Sequence, residues 1–284
     1  MRQLSIQKIL PILSILAIPL FAADCDKKES APSTINKDQE IKWKLVFEDE
    51  FEGTETDPQL WASYQPQTHS SAWNKYVNPA DKSLAEVKDG NLYLRAKWNT
   101  ATDLPETGAI QTKDKFSFTY GKLEVKAKFN RTGQGAWPAI WLMPQTPVFQ
   151  NWPDGGEIDV MEHLNKDNFV YQVMHQSKTE GVEMKPAPFV TPDINQDKYN
   201  TYGIIKTANK IEFYVNDKKT MTYTKGGENA DRWPFETDFY LILNHASADK
   251  GQSGTYYWSG LVVSTDDFPY EMAIDYVKLW EEVE

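Results

Sequence analysis

Apolar and polar residues alternate with a period of two through much of this 284-residue chain. The alternation is clearest over residues 122–129, where every second residue is apolar and the others are charged. A period of two places the apolar residues on one face of a β-strand. Other runs of this kind, separated by turns such as Asp89-Gly90, occur at residues 43–47, 92–96, 211–215 and 274–279. The pattern predicts an all-β sandwich of two antiparallel sheets, in a single domain over residues 41–284.

Composition excludes several classes of protein. The formal net charge of −11 argues against a nucleic-acid-binding protein, which needs a basic face for phosphate. The single cysteine, Cys25, excludes a disulfide framework, a thiolate zinc site and an iron–sulfur cluster. The ten tryptophans are many for this length, and they serve either as core residues or as a stacking surface.

Residues 1–24 have the pattern of a secretory signal peptide. Arg2 and Lys8 precede an apolar run that is too short for a typical membrane span. Cys25 follows this run and precedes a polar stretch over residues 26–40, an arrangement that resembles a bacterial lipoprotein. The resemblance implies a lipid anchor on Cys25, a flexible tether over residues 25–40 and a location at the outer membrane or cell surface. The alternative is a periplasmic or secreted protein.

Three acids stand close together after a Gly-Gly turn, in the segment Glu157-Ile-Asp159-Val-Met-Glu162. The β-branched Ile158 and Val160 favour a strand, in which Glu157 and Asp159 share a face and Glu162 points the other way. A single bulge near Met161 would bring all three acids to one face. One interpretation is an exposed acidic stripe. The other is a pair of catalytic carboxyls, such as retaining glycoside hydrolysis requires.

The segment also resembles the signature of glycoside hydrolase family 16, in the bulged form of laminarinases, agarases and endo-β-galactosidases. Residues 120–125 (Tyr-Gly-Lys-Leu-Glu-Val) and 135–142 (Gly-Ala-Trp-Pro-Ala-Ile-Trp-Leu) are similar to further strands of that family. The resemblance implies a concanavalin-like jelly roll with an open concave cleft. It also implies that Glu157 is the nucleophile, Glu162 the acid/base and Asp159 the helper, in a retaining endo-β-glycosidase.

Aromatic and polar residues around the three acids are candidates for sugar binding, because aromatic rings stack on the apolar faces of pyranoses. For any single tryptophan the alternative is a core position. The candidates are Trp137, Trp141, Trp152, His175 and Asn244. Trp137 and Trp141 are four residues apart and are therefore expected on one strand face.

No cofactor is expected to be required, and no metal is assigned to the catalytic residues. Some members of the family hold a calcium ion on the convex face, and Glu50, Gly90 and Asp275 fall near the corresponding places. Oxygen ligands suit calcium. A structural calcium ion is thus an option that the resemblance leaves open. A monomer is expected, with membrane contact only through the lipid anchor.

The substrate is harder to predict. Laminarinases usually follow the strand at Leu243-Asn244 with small residues, a glycine pair and another tryptophan, which this chain lacks. The loop from Ser177 to Asp197 and the insertion with Tyr256, Tyr257 and Trp258 could also reshape the cleft. These departures favour an endo-β-1,4-galactosidase (O-glycanase) acting on poly-N-acetyllactosamine and mucin-type O-glycans. The alternatives are an endo-β-1,3- or mixed-linkage glucanase and a non-catalytic sugar-binding surface protein.

Overall fold

The computed structural model describes residues 42–66, 72–176, 189–226 and 233–283. The predicted signal peptide, the tether and Cys25 lie outside the described residues, as do residues 177–188 of the long loop. The predicted domain boundaries therefore stay predictions. No helix in the described ranges is long and apolar enough to cross a membrane.

The described residues form two antiparallel sheets, with one 3-10 turn at Lys82–Leu84. The nine-stranded sheet consists of β1 Lys42–Asp49, β3 Ala85–Lys88, β4 Asn91–Asn99, β5 Leu104–Thr107, β7 Gly121–Arg131, β12 Asn200–Lys206, β13 Lys210–Val215, β14 Lys218–Thr224 and β16 Tyr270–Val283. The seven-stranded sheet consists of β2 Ala62–Ser63, β6 Ala109–Gln111, β8 Ala136–Pro144, β9 Glu157–Glu162, β10 Tyr171–His175, β11 Phe189–Val190 and β15 Phe239–Ser247.

The strand order decides which residues meet. In the larger sheet it is β14-β13-β12-β7-β16-β4-β3, with β1 added to β16 and β5 to β4. In the smaller sheet it is β11-β10-β9-β8-β15-β6-β2. The acid-bearing strand β9 thus lies between β8, which carries Trp137 and Trp141, and β10, which carries His175.

The main core lies between the two sheets and confirms the period-two prediction. In β7 the apolar residues Leu123, Val125, Ala127 and Phe129 are buried, and the residues between them are partly exposed. From the smaller sheet, Ile140 and Leu142 of β8 pack in the same core. These strands therefore have one face toward the core and one away from it, as alternation requires.

Strand β1 departs from the predicted alternation. Residues 43, 45 and 47 were expected on one buried face, but only Phe47 is buried and Leu45 is 41% exposed. The pairing of β1 with β16 shifts between Leu45 and Phe47, which marks a bulge. Because a bulge adds one residue to a strand, it moves the residues before it to the opposite face.

Candidate active site

A bulge in β9 brings the three acids to one face, as the sequence predicts. Asp159 is opposite Trp141 on β8, but Met161 rather than Val160 is opposite the adjacent Ile140. Val160 is therefore the extra residue of the bulge. Val160 and Met161 both pack in the main core, so Glu162 returns to the side of Glu157 and Asp159. This side of the smaller sheet, which faces away from the main core and carries the three acids, is called the site face below.

Gln172 of β10 fixes the bulge from the core side. Its amide Nε2 donates to the carbonyl oxygen of Val160 over 3.3 Å, and its Oε1 accepts from Thr220 Oγ1 of β14 over 2.5 Å. Gln172 is completely buried, and Thr220 belongs to the opposite sheet. A buried polar contact thus connects the two sheets directly beneath the acids. Gln172 was not predicted from the sequence, where its only signal is a lone amide in the apolar run of 169–174.

Each glutamate accepts a hydrogen bond from an indole. Trp137 Nε1 donates to Glu162 Oε1 over 2.8 Å, and Trp152 Nε1 donates to Glu157 Oε2 over 2.9 Å. Trp152 is 57% exposed, whereas the side chain of Glu157 is 16% exposed. Hydrogen bonds to an ionised carboxylate are stronger than neutral ones and fix its orientation. Two predicted sugar-binding tryptophans therefore also position the two predicted catalytic carboxyls.

His175 lies beside the other two acids at the centre of the site. Its Nε2 is 3.1 Å from Asp159 Oδ2 and 3.8 Å from Glu157 Oε1. The imidazole ring is also 5.6 Å from the ring of Trp152. The structure thus brings His175 into the acidic cluster, where it can hold a positive charge against the carboxylates.

Burial and the neighbouring negative charge of Asp159 raise the pKa of both glutamates above the usual range of a carboxyl group. The charge of His175 and the indole hydrogen bonds lower each pKa, without cancelling that rise. Carboxyls that share a partly dry site cannot all ionise easily, so the cluster retains a proton at a pH where an isolated carboxyl group would lose it. A protonated and an ionised carboxyl can therefore coexist in this site.

Two predicted sugar-binding residues lie deeper than expected. Trp141 is 6% exposed and Asn244 is 2% exposed, and Trp141 Nε1 donates to Asn244 Oδ1 over 2.7 Å. The ring of Trp73 packs edge-on against Trp141 at 4.8 Å, and that of Tyr64 packs edge-on against Trp73 at 4.6 Å. Both residues are on the site face, but Trp73 covers Trp141, and Asn244 is buried beside it. Their contact with a sugar stays a prediction.

A second aromatic group surrounds Glu162. Tyr171 of β10 is paired with Glu162, and the ring of Trp258 lies 4.7 Å from that of Tyr171. Trp258 also contacts the ring of Trp137 at 6.2 Å, edge to face. Tyr171 was not predicted as a site residue, because a tyrosine in a strand is as common in a core as in a site.

The turn before Glu157 requires glycine. Gly156 has a φ of +86°, and a Cβ atom there would lie 2.9 Å from atoms of Phe235 and Pro234. A larger residue would face both backbone strain and a steric clash. The Gly-Gly breaker seen in the sequence therefore fixes how the chain enters β9.

The possible metal positions differ in their fit. Ligand atoms of Glu157, Asp159 and His175 lie within 4.8 Å of one another, so this cluster could accommodate a cation. Just after β1, Glu50 Oε1 is 2.8 Å from Lys278 Nζ of the larger sheet, and on that sheet Asp275 Oδ2 is 2.7 Å from Lys126 Nζ. These lysines neutralise the two carboxylates predicted for calcium, so the set does not fit that ion as it stands.

A model of the glycosyl hydrolases family 16 matches residues 73–260. This range includes β9 and all the aromatic residues of the candidate site described above except Tyr64. The chain belongs to this family. The two antiparallel sheets, together with the likeness to solved structures of this family, confirm the jelly-roll architecture expected from the sequence.

Relatives of this family 16 chain include proteins named for different sugars. It is 35% identical over 245 residues to the keratan-sulfate endo-1,4-beta-galactosidase of Sphingobacterium multivorum, covering 84% of this chain and 55% of that protein. A structure described with endo-acting O-glycanases of the human gut microbiota that initiate mucin breakdown is 28% identical, with a TM-score of 0.73, covering 83% of this chain and 98% of that one. The catalytic domain of an endo-1,3-beta-glucanase (laminarinase) from Thermotoga petrophila RKU-1 is 27% identical, with a TM-score of 0.71, covering 86% and 100%.

Proposed function

We propose that this family 16 protein is a retaining endo-β-glycosidase with Glu157 as nucleophile and Glu162 as acid/base. The observation that carries this proposal is the bulge at Val160, which places both glutamates on one face with Asp159 between them. Each carboxyl accepts a hydrogen bond from an indole, and burial together with the charge of Asp159 raises the pKa of both. An exposed acidic stripe would need none of these features.

In the first step, Glu157 attacks the anomeric carbon and forms a glycosyl ester, while Glu162 protonates the departing glycosidic oxygen. Nε2 of His175 lies 3.8 Å from Glu157 Oε1, and its charge favours the ionised form of that carboxyl, which the nucleophile requires. In the second step, Glu162 removes a proton from water, and the resulting hydroxide attacks the anomeric carbon and frees Glu157. Asp159 orients the nucleophile through the cluster and keeps the pKa of Glu162 high.

The substrate proposed is a β-1,4-linked galactoside within poly-N-acetyllactosamine or mucin-type O-glycans. Similarity to a keratan-sulfate endo-galactosidase and to an O-glycanase structure supports this choice. So does the end of β15, where the completely buried Ala248 and Asp249 follow Ser247 and no glycine pair occurs. A β-1,3- or mixed-linkage glucan is the second candidate, supported by the likeness to a laminarinase domain.

The test is a substrate panel of mucin O-glycans, keratan, laminarin, mixed-linkage glucan and agarose, with products separated by chromatography. We expect oligosaccharides from the first two and, by NMR, a newly formed β-anomer. Glu157→Gln should lower the rate by at least ~10³-fold while retaining glycan binding. Shrinking products from laminarin alone would replace the galactoside by a glucan. Full activity of Glu157→Gln would refute the nucleophile assignment.

A non-catalytic sugar-binding protein is the alternative from another class. It would use the tryptophans without needing the carboxyl pair. Azide separates the two classes, because it can replace a missing acid/base in a retaining enzyme. We expect azide to restore turnover to Glu162→Ala on an activated aryl glycoside. A binding protein would give no turnover in the wild type or the variant.

We further propose that Cys25 carries a lipid that holds the protein at the bacterial surface. The apolar run before Cys25 and the polar stretch after it support this proposal. Metabolic labelling with a fatty acid should mark the wild type and not Cys25→Ser, and the variant should appear in the soluble exported fraction. We expect the protein to be a monomer, which sedimentation of residues 41–284 would check.

A further inference from the structure

Residues 249–260 form a loop, called the wall loop, that is held by hydrogen bonds to the buried carboxylate of Asp249. Asp249 is completely buried, and its carboxylate accepts hydrogen bonds from Tyr76 and Tyr257 hydroxyls at 2.5 and 3.2 Å. It also accepts from the backbone N–H groups of Gly251 and Ser253 at 2.7 and 3.2 Å. Buried charge is costly unless it is satisfied, and here four donors satisfy it. These four hydrogen bonds therefore hold the start of the loop against Tyr76 and Tyr257.

The wall loop contacts the segment that carries Trp73 and also the strands β8 and β10 of the site face. At one end, Lys75 Nζ donates to Thr255 Oγ1 over 2.9 Å, beside the segment that carries Trp73. At the other end, Trp258 contacts Tyr171 and Trp137. Ser259 Oγ donates to Gly135 O over 3.2 Å, which ties the loop to the turn before Trp137. The loop thus borders the strands on both sides of β9.

Two groups of aromatic residues lie near different acids: Trp73 with Tyr64, and Trp258 with Tyr171 and Trp137. Trp73 packs on Trp141, which is opposite Asp159, and Tyr64 packs on Trp73. Trp258 packs on the two residues that contact or pair with Glu162. In a retaining reaction the acid gives its proton to the oxygen of the departing sugar, which must therefore lie against Glu162. The second aromatic group borders that position.

We propose that Trp258 is a specificity-determining residue that binds the departing sugar, and that Asp249 holds it in place. A hexopyranose has an apolar ring face and a polar rim. The partly exposed indole offers the ring face a flat apolar surface, as aromatic residues do for other amphipathic ligands. This inference rests on the proposed endo-glycosidase reaction, but it holds for either candidate sugar.

The test compares two kinds of substrate with the same non-reducing oligosaccharide. One has a sugar as its leaving group, and the other has an aryl alcohol in its place. We expect Trp258→Ala to lower kcat/KM about tenfold or more on the first and less than twofold on the 2,4-dinitrophenyl glycoside. Trp258→Phe should recover most of the loss. Asp249→Ala should reproduce the pattern of Trp258→Ala, because it releases the loop.

Trp280→Ala is the matched control. Trp280 lies on β16 of the opposite sheet, where Lys122 Nζ is 5.0 Å from its ring centre. The control should leave both substrates within twofold of the wild type. Circular dichroism and melting temperature would confirm that every variant is folded.

Two results would overturn the proposal. The first is an equal loss on sugar and aryl substrates, or none on the sugar substrate. The second is a loss that increases from the dinitrophenyl to the phenyl glycoside, because it would mean that Trp258 acts through the proton of Glu162. If the wild type cuts laminarin and not the galactoside, the proposed substrate fails, and the same comparison is made with laminari-oligosaccharides.

Discussion

Asp159 Oδ2 lies 3.1 Å from Nε2 of His175, so an anion and a potential cation adjoin at the centre of the site. The two residues influence both glutamates in opposite directions. The charge of Asp159 raises the pKa of Glu157 and Glu162, and that of His175 lowers it. The pH dependence of activity should therefore change when either residue of this pair is replaced.

Asp159→Asn and His175→Gln are expected to move the pH–rate profile in opposite directions. Removing the charge of Asp159 lowers the pKa of both glutamates, so both limbs of kcat/KM should shift to lower pH. Removing the charge of His175 should shift them to higher pH. Profiles measured from pH 4 to 9 check this, and a shift of both variants in the same direction would contradict it.

Trp137→Phe should lower kcat while preserving most of the ring surface. The variant loses the N–H that donates to Glu162 Oε1, a hydrogen bond that lowers the pKa of that carboxyl. A hydrogen bond to a charged group contributes about 1.5–3 kcal/mol, which corresponds to a ~10–100-fold fall in rate. The basic limb should also move to higher pH. Trp43→Phe, on β1 of the other sheet, is the control.

Gln172→Leu should destabilise the bulge and weaken catalysis together. Loss of the amide leaves the Val160 carbonyl oxygen and Thr220 Oγ1 without this partner. We expect unfolding to become easier by about 1–3 kcal/mol, measured by urea denaturation. Gln172→Glu retains one acceptor oxygen for Thr220 and loses the donor to Val160. An unchanged kcat in a destabilised Gln172→Leu would mean that the bulge persists without the amide.

Glu162→Gln should be more stable than the wild type. A glutamate whose pKa is raised by folding contributes fully below the unfolded-state pKa, and that contribution is lost as pH rises through the folded pKa. The gain should therefore be small near pH 4 and reach about 1 kcal/mol, or roughly 3 °C, at higher pH. Thermal melts at several pH values measure it. A variant less stable than the wild type at pH 8 would refute the argument.

Two buried histidines should make the fold acid-sensitive. Burial lowers the pKa of His163 to about 4 and of His245 to about 3. Because the unfolded chain binds these protons first, each histidine contributes a loss of stability of up to ~1.4 kcal/mol per pH unit as pH drops from about 6.5 toward 4, against the gain from the two glutamates. His163→Gln retains a donor for Asp167 O and should flatten the slope. An unchanged slope would mean that groups other than His163 cause the loss of stability at low pH.

Much of the site was predictable because its information is local. The two β-branched residues and three acids of 157–162 predict a strand, and the family pattern predicts its bulge. Similarly, the even spacing of Trp137 and Trp141 places both on one face. The burial of Trp141 was not predictable, because its cover, Trp73, comes from a distant segment. Likewise, the buried Asp249 looks like any other loop acid in the sequence, and only its four donors distinguish it.

The bulge at Val160 has a consequence for how the chain can change. Successive residues of a strand point to alternate faces, so an even or odd number of residues between two positions decides whether they share a face. The bulge interrupts this alternation once between Asp159 and Glu162. A chain without Val160 would have the three acids at every second position, all still on the site face in a regular strand. An inserted residue would instead turn Glu162 toward the core. This strand can therefore lose one residue and retain its chemistry, whereas it cannot gain one.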